Sequence, residues 1–158
     1  MADGDVLIRP AVAGDLPALV ALDCEVRTGA DQPGHAADWL EADAASRFSD
    51  WIERRECFIA LSGGAVAGLG IFHYHFFHSG FIDLVLVGAA HRRRGVGRAL
   101  VRFLAARCTS DKVWISTNLS NTPMQKLIAS EGFQMAGFVD GLDPGDPELI
   151  FSRPRAPA

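Results

Sequence analysis

The sequence predicts a single domain of the α/β class, and three observations lead to that prediction. The 158 residues suffice for one domain with a substantial core, whereas two ordinary domains would be cramped. Apolar residues make up 49% of the chain and charged residues 22%, as in ordinary globular proteins. Helical and strand-like periodicities alternate, with no internal repeat and no linker. We therefore treat residues 1–158 as one domain, with its core over about residues 6–152.

The first half of the chain predicts a strand, two helices and a β-hairpin, in that order. Asp15 is placed as the N-cap of the first helix, because it directly precedes a helical apolar pattern. The Gly/Pro-containing stretch from Thr28 to His35 interrupts that pattern. Ser62-Gly63-Gly64 is a strong hairpin signal. The predicted elements are a strand at residues 6–9, a helix after Asp15, a helix at about residues 38–55, and strands at residues 57–61 and 65–77.

The second half of the chain alternates strands with short helices. Ser79-Gly80 is predicted to turn the chain into a strand that is apolar on both faces apart from Asp83, as in the middle of a covered sheet. Asn121 or Thr122 caps a later helix, which Gly132 ends. The predicted elements are strands at residues 81–87, 112–117, 134–139 and 148–152, helices starting near residues 96 and 122, and a frayed tail at residues 153–158.

The run Arg92-Arg93-Arg94-Gly95-Val96-Gly97-Arg98 lies between a strand and an amphipathic helix, which predicts an anion-binding turn. Two glycines allow a tight turn, so that free N–H groups face an anion at the positive end of the helix dipole. Arginine side chains add charge-assisted donors. A Walker P-loop would need Lys followed by Ser or Thr where Arg98-Ala99 stands, and a dinucleotide fingerprint would need glycine in place of Leu100. The turn therefore predicts another kind of phosphate-bearing ligand.

With this turn and this order of elements, nearly the entire chain resembles the Gcn5-related N-acetyltransferase (GNAT) superfamily. The superfamily's acyl-CoA pyrophosphate turn reads Gln/Arg-x-x-Gly-x-Gly/Ala, which Arg92, Gly95 and Gly97 match. Asn121 followed by Leu127–Phe133 is similar to its second motif, Asn-x-x-Ala-x-x-Leu-Tyr-x-x-x-Gly-Phe. The resemblance implies a single-domain GNAT-like fold, of class α/β (α+β), with a central, mixed, mostly antiparallel twisted sheet of about seven strands flanked by four helices.

The resemblance also implies acetyl-CoA as the cosubstrate. Its pyrophosphate would accept hydrogen bonds from backbone N–H groups of the turn, and its pantetheine arm would pair with backbone groups at the end of the preceding strand. Side-chain amides would hold the arm from the opposite side, although Asn121 also fits a helix cap alone. The implied residues are Val85, Leu86 and Val87 for the strand, Arg92, Arg93, Arg94, Gly95, Val96, Gly97 and Arg98 for the turn, and Asn118 and Asn121 for the amides.

The implied reaction is transfer of the acetyl group from acetyl-CoA to a primary amine of a small molecule or peptide, by direct nucleophilic attack. An ammonium ion has no lone pair with which to attack, so a base is useful. Asp83 occupies the superfamily's acidic position, where an apolar setting would make it a better base. The competing interpretation of Asp83 is a structural carboxylate that pairs with an arginine or caps a backbone N–H. Ile128 replaces the tyrosine that often protonates the CoA thiolate, which leaves open a non-catalytic acetyl-CoA-binding regulatory module.

The predicted acceptor-binding residues are Glu25, His73, Tyr74 and His75, with Asp31 as a further candidate. The two acidic residues lie near the loop that covers acceptor sites in the superfamily, and the other three lie in an unusual cluster of aromatic and imidazole side chains that lines an acceptor pocket or packs beneath helices. His73 and His75 share a strand face, so a metal site with His78 or His91 is conceivable. No nearby carboxylate or cysteine completes such a site, and we predict no metal.

Charge and cysteine content narrow the remaining alternatives. The formal net charge of −4 argues against a nucleic-acid binder, although residues 91–107 contain six arginines and no acid, which suits a small polyanion such as CoA. Three scattered cysteines favour a reducing compartment. Residues 1–5 lack the pattern of a signal peptide and no apolar run is long enough to span a membrane, so we expect a cytoplasmic protein without membrane contact. A homodimer fits the superfamily, and the acceptor amine stays open.

Overall fold

Strands and helices alternate along the residues that the computed structural model describes, which are residues 6–27 and 37–157, with side chains described from residue 43 onward in the second range. The strands are β1 Val6–Pro10, β2 Cys57–Ser62, β3 Ala65–Phe76, β4 Ser79–Val87, β5 Lys112–Asn118, β6 Gln134–Val139 and β7 Glu148–Pro154. The helices are α1 Leu16–Arg27, α2 Ala37–Glu53, α3 Val96–Ala106 and α4 Thr122–Ser130. Short 3-10 turns at Ala13–Asp15 and Ala89–His91 precede α1 and follow β4. Within these residues, no helix is both long and apolar enough to cross a membrane.

The seven strands form one sheet, in the order β1-β2-β3-β4-β5-β7-β6. β4 and β5 pair in parallel, whereas β1 with β2, β2 with β3, β5 with β7, and β6 with β7 pair antiparallel. A parallel pair needs a crossover connection, which α3 supplies between β4 and β5. The predicted mixed, mostly antiparallel sheet with four helices is confirmed.

The described chain forms two compact units. The first comprises residues up to Ile71 together with Leu84–Leu100, and the second comprises Phe72–Asp83 together with residues from Val101 onward. β1 and β2 belong to the first unit, whereas β5, β6, β7 and α4 belong to the second. Along the chain, β3, β4 and α3 each continue from one unit into the other.

In the first unit, β2 is covered on both faces. Ile59 of β2 packs in a core cluster with buried residues of α1 and α2, such as Leu19 and Phe48. The next residue, Ala60, packs with Val96 at the start of α3. Successive strand residues point to opposite faces, so α1 and α2 cover one face and α3 covers the other. Burial on both faces explains why β2 is a nearly continuous apolar run.

In the second unit, β5 has one buried face and one half-buried face. Val113, Ile115 and Thr117 are buried, whereas Trp114 and Ser116 between them are only partly covered. The antiparallel register places the outward residues of β5 and β7 side by side. The resulting set, which we call the open face, consists of Trp114, Ser116 and Asn118 of β5 with Glu148, Ile150 and Ser152 of β7.

The turn between β3 and β4 differs from the prediction. Phe77 and His78 form it, with left-handed φ angles of 49° and 59°, and Ser79 and Gly80 already belong to β4. Glycine is needed at position 80 for close packing rather than for a turn, because a Cβ atom there would lie 2.7 Å from the sulfur of Cys108. A glycine can mark a close approach as well as a turn, and the tertiary contacts decide between the two.

The C-terminal strand and the start of α1 also differ from the prediction. β7 continues to Pro154, so Arg153 and Pro154 extend the sheet and any tail starts after them. Asp15 lies in the 3-10 turn, and its carboxylate accepts hydrogen bonds from the Arg9 guanidinium and the Val12 N–H. The carboxylate therefore reaches back to the segment before it.

Candidate active site

The arginine-glycine turn, residues 92–98, joins the end of β4 to the start of α3 in the first unit. Gly95 has a left-handed φ of 83°, which glycine adopts without strain, and α3 begins at the next residue. Arg93 is also left-handed, with a φ of 62°. The first N–H groups of a helix lack intrahelical acceptors, and the first turn of α3 holds no acidic side chain. The turn therefore presents backbone donors at a positive helix end.

The arginine side chains of this turn are exposed, including those of Arg92, Arg93 and Arg94. Arg92 also donates from Nε to the Val87 carbonyl at 3.4 Å, which links the turn to the end of β4. Guanidinium groups bind phosphate oxygens through paired hydrogen bonds. Exposed arginines beside a helix start thus add charge to the donors of the backbone.

Two hydrogen bonds within the first unit hold the entry of the turn. The Gly88 N–H donates to the Ala67 carbonyl at 3.0 Å, and the Ala89 N–H donates to a Glu25 carboxylate oxygen at 2.7 Å. Glu25 is predicted for amine recognition, and the structure engages its carboxylate with the backbone that leads into the turn. Asp31, the further acceptor candidate, lies outside the described residues.

The end of β4 carries the three residues predicted to pair with the pantetheine arm. Val85 and Val87 pack against the cluster that includes Val96, whereas Leu86 packs on the other face with α1 and α2. A Cβ atom at Gly68 would lie 2.7 Å from the Leu86 carbonyl oxygen, so glycine allows β3 to approach this strand end. The structure thus brings the strand end, the turn and Glu25 together in one unit.

Asp83, the predicted base, lies in the part of β4 that belongs to the second unit. Its side chain is 39% exposed, and its carboxylate lies 3.3 Å from Nε2 of His73. The sequence predicts an apolar setting, or an arginine or a backbone N–H as the partner. The structure shows a partly exposed carboxylate beside the imidazole of His73 instead.

Glu148, at the start of β7, is a candidate that the sequence prediction missed. Burial raises the pKa of its carboxyl above the usual value, while a hydrogen bond from the Ser116 hydroxyl opposes this shift. The negative charges of Asp143, Asp146 and Asp83 raise the pKa further. The alternation of β7, whose apolar residues 149 and 151 are buried, is the signal that could have found this outward carboxylate.

His73 and His75 lie side by side, whereas Tyr74 binds elsewhere. The rings of His73 and His75 lie 4.8 Å apart, and the His75 N–H donates to Nδ1 of His73 at 3.1 Å. The Tyr74 hydroxyl instead accepts from the Thr109 N–H at 2.9 Å and donates to the Arg107 carbonyl at 3.3 Å. Tyr74 therefore anchors the segment that follows α3. Among the side chains described, no three His, Cys, Asp or Glu residues are grouped to bind a metal ion.

The two asparagines predicted to hold the pantetheine arm bind other parts of the second unit. Asn118 donates from Nδ2 to the Asp143 carboxylate at 2.8 Å and to the Asp146 carbonyl at 3.3 Å. Asn121 accepts from the Met124 N–H at 3.3 Å as the N-cap of α4, which is the alternative that the sequence left open. Ile128 of α4 is fully buried, so the position of the superfamily's tyrosine is an apolar core position here.

A family model supports the assignment that the fold and the turn suggest. The model of the acetyltransferase (GNAT) family matches residues 24–133, which include Asp83, the turn and Asn121. No curated protein matches the sequence significantly. This chain belongs to the GNAT acetyltransferase family.

Several solved structures share the fold over almost the whole chain. A GNAT-family acetyltransferase from Bacillus cereus is 28% identical, with a TM-score of 0.83, and the match covers 98% of this chain and all of that one. The ribosomal-protein-S18-alanine N-acetyltransferase of Escherichia coli is 21% identical, with a TM-score of 0.72 and coverage of 98% and 96%. A phosphinothricin acetyltransferase from Sinorhizobium meliloti, solved with acetyl-CoA, is 21% identical, with a TM-score of 0.72 and coverage of 95% and 88%.

Proposed function

We propose that this protein transfers the acetyl group of acetyl-CoA to a primary amine by direct nucleophilic attack. The observation that carries the proposal is the arginine-glycine turn, in which a left-handed Gly95 leads directly from exposed arginines into α3. This arrangement suits a diphosphate, because backbone donors, helix dipole and guanidinium charge all favour an anion. Membership of the GNAT acetyltransferase family supports acetyl-CoA as the ligand.

In this proposal, backbone N–H groups of Arg93–Arg98 bind the pyrophosphate, and backbone groups of Val85–Val87 pair with the pantetheine arm. Asn118 and Asn121 remain candidates for contacts on the other side of the arm. Their side chains already bind protein groups, so the Asn118 amide would have to give up a bond to Asp143 or share it. The turn and the strand end therefore carry more of the proposed binding than the asparagines.

The chemical step requires a proton acceptor. The neutral amine attacks the thioester carbonyl, a C–N bond forms, the C–S bond breaks, and CoA leaves as a thiolate. The nitrogen loses one proton, which a carboxylate can accept. Asp83 is our first candidate for this role. Glu148 is a second, because its pKa is raised in the direction of neutral pH, which makes its carboxylate a stronger base.

A panel of primary amines tests the proposal. Release of free thiol from acetyl-CoA should depend on the amine and on the enzyme, and acetyl-CoA should raise the melting temperature. Absence of turnover with every amine, together with an unchanged melting temperature in acetyl-CoA, would overturn the proposal. Asp83→Asn and Glu148→Gln then distinguish the two carboxylates. Replacement of the carboxylate that accepts the proton should lower kcat and leave acetyl-CoA affinity unchanged.

A second candidate function is a non-catalytic acetyl-CoA-binding module. Ile128 is fully buried and apolar at the superfamily's tyrosine position, and the hydroxyl of Tyr74, the chain's only tyrosine, is bound to the segment after α3. Neither side chain is therefore ready to protonate a thiolate. Saturable acetyl-CoA binding without turnover on any amine would favour this function over catalysis.

A further inference from the structure

We propose that the acceptor is an apolar primary amine, whose hydrocarbon part occupies an aromatic cavity beside β5 and whose amino group lies at the carboxylates of Asp83 and Glu148. This inference rests on the proposed acetyltransferase function and adds the substrate class. All residues that carry it belong to the second unit.

The cavity has a volume of about 400 Å³. This is large enough for a small ligand, since small-molecule sites in proteins span roughly 300 to 1,000 Å³. Its lining is mainly aromatic and aliphatic, with Phe76, Phe77, Trp114, Gly137, Phe138 and Ile150 as the main contributors. Such a lining favours a hydrocarbon group over a sugar or a polar chain.

The aromatic wall is built from stacked rings with exposed ends. Phe76 stacks on Phe81 with ring centroids 4.8 Å apart, and its ring lies 5.5 Å from that of Trp114. Phe77 is 86% exposed and Phe138 is 63% exposed, although both are large apolar side chains. An exposed apolar patch beside a cavity is a mark of an interaction site, such as a ligand-binding groove.

The floor of the cavity continues along the strands to the carboxylates. Ile150 and Trp114 line the cavity, and Glu148 and Ser116 are the next outward residues of their strands. Outward residues are two positions apart, so these carboxylate and hydroxyl groups start about 7 Å from the apolar lining. The Ser116 hydroxyl binds the Glu148 side chain, which ties the two strands together at the polar end.

The charges along the open face orient an amine in one direction. The negative charges of Asp143, Asp146 and Asp83 act on Glu148, and the Asp83 carboxylate lies 3.3 Å from Nε2 of His73. Lys112, at the other end of β5, lies 5.9 Å from the centre of the Trp114 ring. An amine therefore finds negative charge at one end of the cavity and positive charge at the other. This complementarity favours a cationic amine over an acid of the same shape.

Matched amines test the inference. 2-Phenylethylamine and hexylamine should give kcat/KM values at least about tenfold above those of ethylamine and ethanolamine, because burial of several CH₂ or ring carbons favours the larger amines. A peptide with an amino-terminal phenylalanine forms a separate arm that distinguishes a free amine from a chain terminus. Equal or better turnover of the small polar amines would overturn the inference and leave the proposed function standing.

Gly137→Leu tests the cavity directly. Gly137 lines the cavity, and a Cβ atom there would meet nothing within 4 Å, so a side chain at this position starts in open space. We expect a loss of about tenfold in kcat/KM for 2-phenylethylamine and a smaller loss for ethylamine, with acetyl-CoA affinity unchanged. Gly14→Leu is the matched control, because Gly14 also faces open space and lies outside the cavity lining.

Two further measurements decide the remaining outcomes. If no amine is acetylated, binding of 2-phenylethylamine to wild type and Gly137→Leu, followed by tryptophan fluorescence, still tests the cavity, and equal binding to both overturns the inference. Sedimentation tests whether a second copy covers the cavity. A dimer that Gly137→Leu dissociates without any change in amine selectivity would assign the cavity to that copy and overturn the inference.

Discussion

The arginine-glycine turn in the first unit and the open face in the second are built in different ways. The turn uses consecutive residues, and its donors are backbone groups whose direction is set by Gly95 and the start of α3. The open face uses side chains from two strands, β5 and β7, which only the register brings side by side. A site built from the backbone of consecutive residues can be predicted from a short sequence pattern. A site built from side chains of different strands can be recognised only in the folded structure.

The two sites should therefore fail in different ways when they are mutated. In the turn, added bulk blocks the approach of a ligand to the backbone, whereas exchange of one exposed side chain for another changes less. On the open face, the identity of each side chain decides charge and shape, and bulk matters only in the cavity.

Gly97→Leu should cause the largest loss. Gly97 is the second residue of α3, where leucine suits a helical backbone but places a side chain at the proposed pyrophosphate site. We expect acetyl-CoA affinity to fall by about a hundredfold or more, a loss of roughly 2.7 kcal/mol of binding energy, as measured by calorimetry. Gly14→Leu should bind normally. Unchanged affinity in Gly97→Leu would move the phosphate site away from this turn.

The proposed catalytic carboxylates should come next in size. At neutral pH, Asp83→Asn or Glu148→Gln should lower kcat by about a hundredfold, the lower end of what a general base contributes, without a change in acetyl-CoA affinity. If Glu148 is the proton acceptor, wild-type kcat falls when the pH drops through its raised pKa. This acid limb of the plot of kcat against pH should disappear in Glu148→Gln. The pH profile of each variant identifies the acceptor. A full kcat in both variants would show that neither carboxylate is the base.

Local signals predicted the order of elements and the position of the turn, but not the partners of individual side chains. The glycines at residues 95 and 132 have left-handed φ values, as a turn and a helix end require. Tyr74 and Glu25, by contrast, bind backbone groups 35 and 64 residues away in the chain. Gly80 shows the same limit, because its role depends on Cys108. Contacts over such separations arise from strand register and helix packing, which no short sequence pattern contains.

Substitution of Glu25 tests whether this residue belongs to the turn or to the acceptor-binding site. Its hydrogen bond to the Ala89 N–H assigns it to the turn rather than to amine recognition. Glu25→Ala should raise the KM for acetyl-CoA about two- to tenfold, the range of one lost hydrogen bond, and leave the KM for the amine unchanged. Glu25→Gln should restore much of the affinity, because an amide oxygen can also accept this bond. A change in the amine KM alone would return Glu25 to the acceptor site.

The smallest effect concerns stability, and it should have opposite signs in the two units. The Arg9 guanidinium holds the pKa of Asp15 below its usual value, so this carboxylate stabilises the first unit above its unfolded-state pKa and loses that effect as the pH falls through the folded one. Burial raises the pKa of Glu148, so the fold is favoured while this carboxyl is protonated and loses stability as the pH rises through the raised pKa.

At neutral pH, Asp15→Asn should therefore lower the melting temperature, and Glu148→Gln should raise it by about 1–3 °C, as expected for a fraction of a kcal/mol in a domain of this size. Calorimetry from pH 2 to pH 8 measures both differences. As the pH falls, the Glu148→Gln difference should shrink first, because the pKa of Glu148 is raised, and the Asp15→Asn difference should persist to lower pH, because the pKa of Asp15 is lowered. A melting temperature lowered by Glu148→Gln at neutral pH would show that the carboxylate is held by favourable bonds. The open face would then be a structural network, because a site kept for function carries a charge at the expense of stability.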